Sequence, residues 1–188
     1  AVARTNAFCS SIYKIDDRFV SYMDVEKLHT LRHEVYRREG RHKKDAVTDF
    51  DQAAHKAHYK NLTDGTQKDF DIPPDTQDTL SASYYFMLLP MKLGDRVEYS
   101  VCNNERNYRL LALIGSRGKV RLGETLGEMD GFMVEPFAEL IGGALVDKGR
   151  VSAYYSWDGR RLPLYAVIRA PVFTTVTISL AKVESESS

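Results

Sequence analysis

A mainly β fold is what this sequence predicts: a curved antiparallel sheet or half-barrel meander with one helix packed on it. Three observations carry that reading. Val172, Thr174, Val176, Ile178 and Leu180 alternate with Phe173, Thr175, Thr177 and Ser179, and successive strand side chains face opposite sides of a sheet. Turn signals such as Asp64-Gly65, Asn103-Asn104 and Asp158-Gly159 punctuate similar alternating runs. Only one stretch, with Leu80, Tyr84, Met87 and Leu88 on one face, repeats convincingly at helical spacing.

The chain opens in strand-like sequence, Val2 to Phe8. That run carries a single charge, Arg4, and no proline, so it is poorly protected as a sheet edge. It is expected to be paired on both sides in the working protein, by an earlier segment or by a strand from another subunit. The absence of a starting methionine adds the expectation that the N-terminus is incomplete. Ile12 to Tyr22 reads as a second strand, and Leu31 to Arg38 as a third, with Gly40 turning the chain into Asp45 to Tyr59. Val47, Phe50, Ala54 and Ala57 also fit helical spacing, but Val47-Thr48-Asp49-Phe50 is β-prone and favours strand. Asn61 to Asp75 reads as loop. Asp75 or Asp78 can cap the helix, expected over Asp78 to Leu89 with Leu80, Tyr84 and Leu88 buried, and Pro90 stops it.

A meander follows. Val97, Tyr99 and Val101 alternate, Tyr108 to Ile114 is a nearly continuous apolar strand, and Gly115-Ser116-Arg117-Gly118 reads as a turn before Val120 and Leu122. Phe132 to Phe137 is a further short strand. Val151, Ala153, Tyr155 and Trp157, then Leu164, Ala166 and Ile168, complete a ribbon of roughly nine or ten strands. Residues 1–183 are thus expected to form a single β-rich domain, and 184–188 a disordered tail.

Composition bounds the function. With 188 residues, 43% of them hydrophobic, the chain can bury a core of ordinary size. Its 26 Lys+Arg balance 26 Asp+Glu, so net charge gives no support for nucleic-acid binding. No apolar run approaches the roughly 20 residues that a membrane-spanning helix needs. Cys9 and Cys102 are too few for a zinc-ligand pattern; a single disulfide and two buried thiols both fit them.

The histidines, His29, His33, His42, His55 and His58, invite a search for metal ligands. His29 and His33 lie four apart, yet Thr30 stands where a zinc enzyme would have glutamate, and surface histidines are the expectation. No metal site, cofactor site or catalytic residue is assigned. The raw material for an enzyme is Glu124, Glu128, Asp130 and Glu135, which a hydrolase would need in pairs, beside a Gly-rich turn that lacks the features of a phosphate loop. Asn61-Leu62-Thr63 matches a glycosylation acceptor. Tyr84, Tyr85, Phe86, Tyr154, Tyr155 and Trp157 suit a core, or the lining of a cavity that the helix leaves uncovered. The segment from Arg37 to Lys44 holds Arg37, Arg38, Arg41, Lys43 and Lys44 against the single acid Glu39. A solvated hairpin tip explains it; so does contact with lipid headgroups, an anionic membrane surface or an acidic partner.

The run Asp78-Thr79-Leu80-Ser81 through Tyr84-Tyr85, the strand after Leu93-Gly94, the turn Trp157-Asp158-Gly159-Arg160-Arg161-Leu162-Pro163 and the closing Val176 to Leu180 strand resemble a family of exported bacterial proteins. That family is the domain of unknown function 3108, and the resemblance covers most of Phe8 to Val183. It implies a β-rich domain behind a signal peptide, in the periplasm or at the outer membrane, with a further strand pair ahead of the segment like Val2 to Phe8. It supplies no catalytic residues. The resulting expectation is a non-enzymatic cell-envelope protein, acting in protein interaction or assembly or binding an apolar ligand such as lipid. The alternative is a hydrolase using acids from Glu124 to Glu135.

Overall fold

In the computed structural model, the residues described are 1–4, 14–103, 105–122, 126–142, 150–169 and 175–183; they hold thirteen strands and one helix. Packing divides the chain into unit 1, Ala1–Phe86 with Tyr99–Tyr108, and unit 2, Met87–Glu98 with Arg109–Ser188.

Unit 1 is built on an antiparallel meander of β1 (Val2–Arg4), β2 (Asp16–Met23), β3 (Thr30–Glu39), β4 (His42–Asp51), β5 (Lys56–Asn61) and β6 (Gln67–Asp71), in that spatial order. Gly40, at φ 59°, makes the β3–β4 turn where expected. Val47 to Phe50 is strand, and Ala54 lies in the turn that follows it. β1 is exposed at all three residues and pairs, among the described residues, with β2 alone. Residues 5–8 of the expected first strand, Cys9 and the 184–188 tail lie outside the described residues.

The register assigns each side chain of the meander to a face. Phe19 faces Val35, Val35 faces Ala46, Thr48 faces Tyr59 and Phe50 faces Ala57, so these share one side of the sheet. It is the core side: Ala46, Phe50, Ala57 and Tyr59 are buried, and Phe50 and Ala57 cluster with Ile72, Cys102 and the half-buried Phe70. The other side carries Arg32, Glu34, Tyr36 and Asp45, with Val47 buried among them.

Three expectations need correction here. Asn61 to Asp75 is not all loop, because Gln67–Asp71 pairs with β5. At a sheet edge only one side need be apolar, and Phe70 alone supplies the inward contact, so the run looks too polar for a strand. The helix, α1, is Ser81–Leu88 and it buries Ser81, Ala82 and Phe86, while Tyr84 and Leu88 are 55% and 58% exposed. Apolar residues ring this helix, so Leu80-Tyr84-Leu88 and Ala82-Phe86 are two stripes of equal four-residue spacing. Hydrogen bonding selects between them. The two-residue strand β7 (Gln77–Asp78) pairs parallel with β8 (Arg96–Asn103), through Gln77↔Val101 and Asp78↔Cys102. Asp78 Oδ1 then accepts the N–H groups of Leu80 and Ser81 at 2.7 and 3.0 Å, the capping role expected of it. The Ser81 hydroxyl turns inward to Thr30 Oγ1 at 2.6 Å.

In unit 2 the strand order is β13 (Thr175–Ser179), β12 (Pro163–Arg169), β11 (Arg150–Ser156), β10 (Glu128–Leu140), β9 (Arg106–Arg121) and β8, the far ends of β8 and β9 belonging to unit 1. Neither sheet closes into a barrel. The third correction is that Gly115 and Gly118 lie inside β9 rather than at a turn. A Cβ on Gly115 would stand 3.1 Å from Met133 Cε, and one on Gly131 would stand 2.8 Å from Val120 Cγ2. Both glycines permit close approach within a sheet, a role indistinguishable in sequence from a turn. Val120, Leu122 and Leu164 form the core, packed by Met129, Tyr154, Tyr165 and Leu180. The Trp157–Pro163 turn also secures the end of the helix. From it the Arg161 guanidinium donates to the carbonyls of Met87 and Leu89, placing a cation on the helix C-terminus.

Candidate functional site

The basic hairpin tip is divided by the pleat. Arg38 points to the outer face and forms a two-pronged pair with Asp45, Nη1 to Oδ1 at 2.5 Å and Nη2 to Oδ2 at 2.8 Å. That hydrogen bonding holds the Asp45 carboxyl below the usual carboxylate range. Arg37 and Lys44 are register partners, so both point to the core face. The Arg37 guanidinium lies 5.9 Å from the centroid of Phe19, and Lys44 Nζ lies 5.4 Å from that of Tyr59. Arg37 Nε is buried and has no hydrogen-bond partner among the described residues. Arg41, His42 and Lys43 are exposed at the tip.

Phe19 also lines an apolar groove of about 440 Å³ in the same unit. Val2, Val20, Met23, Leu80 and Tyr84 form most of its wall, with Arg18 and Ser21 contributing polar groups. Val2 and Tyr84 are each more than half exposed. Sequence reading missed the groove, because it assigned Leu80 and Tyr84 to the core.

Deeper in unit 1 lies a polar network around Asp78, which is fully buried. Its Oδ2 accepts the Ser21 hydroxyl and the Thr30 hydroxyl, the latter at 3.1 Å, while Oδ1 caps α1. His33 Nε2 stands 3.7 Å from Asp78 Oδ1, too far for a hydrogen bond, and has no other partner among the described residues. Burial pushes the His33 pKa down. These groups organise the helix start.

The expectation of surface histidines fails for His29 and His33, which are 5% and 9% exposed. A strand position facing the core and a neighbouring carboxylate each suffice to bury an imidazole. His29 lies at a cleft of about 590 Å³ that also gathers His55, His58, Asp24, Asp49, Asp51 and Asp75. The acids are engaged: Asp75 with His29 at 3.1 Å, Asp49 with Arg32 at 2.8 Å, and Asp24 and Asp51 with turn N–H groups. His58 pairs with Asp69 at 2.8 Å.

The acids nominated for hydrolysis lie in unit 2, with Glu124 outside the described residues. Asp130 sits 3.1 Å from Lys119 and 3.4 Å from Arg117, and the hydrogen bond from Lys119 leads the causes that hold its pKa down. Glu128 is exposed and Glu135 half-buried on β10. A carboxylate neutralised by two cations is a poor general acid. Phe132 is buried, stacked with Tyr155 and edge-on to Trp157, over which Arg117 sits at 5.3 Å. Cys102 is a buried free thiol whose pKa burial raises to about 12. Asn61 is folded into its own turn through Asp64 and Thr63.

Two open sheets, a capped helix and an apolar groove define a mainly β protein. The chain belongs to the family described as "Protein of unknown function (DUF3108)", which matches residues 1–180. No curated protein matches it in sequence. Among solved structures it is similar to a β-barrel-like protein of domain of unknown function DUF1849 from Brucella abortus. The TM-score is 0.58 at 8% identity, covering 89% of this chain and 72% of that one. At that identity the likeness concerns the fold alone.

Proposed function

We propose that this protein is a non-enzymatic component of the cell envelope, periplasmic or associated with the outer membrane, that binds an apolar partner or ligand. The observation that carries the reading is the groove of Val2, Phe19, Val20, Met23, Leu80 and Tyr84. Apolar surface left in water is unfavourable in proportion to its area, and a concave apolar surface is where small ligands bury most of theirs. Its volume of about 440 Å³ lies within the ordinary range for small-molecule sites. The ion pairs of Asp130 favour this reading over the hydrolase. The resemblance to exported proteins supports the envelope location.

Native mass spectrometry of the protein purified from its own host tests the reading. A bound apolar species is expected, lost on replacing Leu80 by Glu. An empty protein that also fails to take up added n-dodecanol would sink it.

A further inference from the structure

We propose that unit 1 binds an acidic amphiphile, its anionic head held between Arg37 and Lys44 and its apolar body in the adjoining groove. The inference rests on the apolar-binder reading above and adds the chemical class of the ligand.

The argument starts from an electrostatic anomaly. Arg37 and Lys44 are directly opposite each other on adjacent strands, and like charges in that relation destabilise a sheet. Elsewhere on these strands two arginines are matched, while Lys43, opposite Arg38, is exposed at the tip. Arg32 has Glu34 and Asp49, and Arg38 has Asp45. Among the described residues, neither Arg37 nor Lys44 has a carboxylate within ion-pair distance. The acid nearest in register, Asp17, is buried and turns its Oδ1 to the Arg38 N–H at 2.8 Å.

Aromatic faces hold both cations instead, Phe19 beneath Arg37 and Tyr59 beneath Lys44. This arrangement restrains two positive groups on one side of the sheet without consuming their hydrogen-bond donors. A guanidinium with a free donor beside an ammonium suits a phosphate or carboxylate group.

The groove then selects what the anion is attached to. Phe19 is shared: it lies under Arg37 and also lines the groove with Met23, Leu80 and Tyr84. A small inorganic anion would leave that apolar wall in water. A ligand with an acidic head and a hydrocarbon body satisfies both the unmatched charge and the exposed wall.

Calorimetric titrations of the full chain with dodecyl phosphate, n-dodecanol and inorganic phosphate test this. Dodecyl phosphate is expected to bind at least about tenfold more tightly than either fragment. Arg37→Gln with Lys44→Gln should remove its advantage over dodecanol, whereas Arg37→Lys with Lys44→Arg should keep most of it. Should the double Gln variant fail to fold, the wild type still decides, since added salt should weaken dodecyl phosphate and spare dodecanol. Equal binding of dodecyl phosphate and dodecanol, insensitive to salt and to the Gln variants, overturns the head assignment and leaves the apolar reading standing. Inorganic phosphate binding as tightly as dodecyl phosphate makes this a free-anion site and overturns the amphiphile. Failure of both alkyl ligands overturns this inference and the apolar reading together.

Discussion

The two faces of the β3–β4 hairpin solve the same charge problem in opposite ways. On the outer face Arg38 is matched by Asp45, and Arg32 by Glu34 and Asp49. On the core face Arg37 and Lys44 rest on Phe19 and Tyr59, with no carboxylate within ion-pair distance among the described residues. The outer pairs are half-exposed and contribute little to stability. The repulsion within the inner pair opposes stability, and in our proposal a bound anion offsets it. Further along the same core face the sign reverses, and Asp78 is an anion whose every need is met within the protein.

That satisfied anion gives the largest expected effect. Asp78→Ala leaves the N–H groups of Leu80 and Ser81 and the hydroxyls of Ser21 and Thr30 without their acceptor. Each buried donor left unmade costs about 1–3 kcal/mol. The total loss, read by urea denaturation, should reach at least about 3 kcal/mol, although some donors will find water or each other. A loss under about 1 kcal/mol would mean that the network is not what holds α1 in place.

His33, between the satisfied anion and the unmatched cation, gives an intermediate effect whose sign follows from its surroundings. Burial is the leading cause of its lowered pKa; Asp78 and Glu34 oppose the shift, and Arg37 reinforces it. The unfolded chain therefore takes up a proton below the ordinary histidine value of about 6.5 that the folded chain refuses. The stabilisation from neutral His33 is present above that value and is lost as pH falls from it toward the depressed folded value. Denaturant midpoints between pH 7 and pH 5 should fall more in the wild type than in His33→Gln. Parallel curves would remove His33 from the balance.

Much of the fold was legible in the chain, and the misses share a physical form. Gly40 required a turn, Val47 to Phe50 behaved as the β-prone run it is, and Asp78 capped the helix. Gly115 misled because a glycine for close approach and a glycine for a turn are the same letter. Leu80 and Tyr84 misled because α1 is apolar on all sides, and its rotation is set by the Ser81 hydroxyl, a polar atom outside any hydrophobic pattern. The basic run of the candidate site was visible as composition. Its division into a matched and an unmatched half depends on register, which no count of charges contains.

The smallest effect separates the faces most directly. Lys44→Gln removes one of two like charges held opposite each other while keeping a chain of similar reach. In a Tyr59→Leu background, where no ring contact of Lys44 is lost, stability should rise, by about 0.2–0.5 kcal/mol at low salt, the scale of an unfavourable cross-strand pair. Raising the ionic strength should erase the gain, because the repulsion it removes is then screened. Arg38→Gln, on the outer face, should move the other way: its Asp45 partner loses its hydrogen bonds, stability falls slightly, and salt shrinks that difference too. Opposite signs from two neighbouring cations on one hairpin would be hard to produce by any general effect of net charge, since both variants change it equally. If Lys44→Gln in that background instead destabilises as Arg38→Gln does, Lys44 has a partner within the folded protein, and the contrast between the two faces no longer argues for a bound anion.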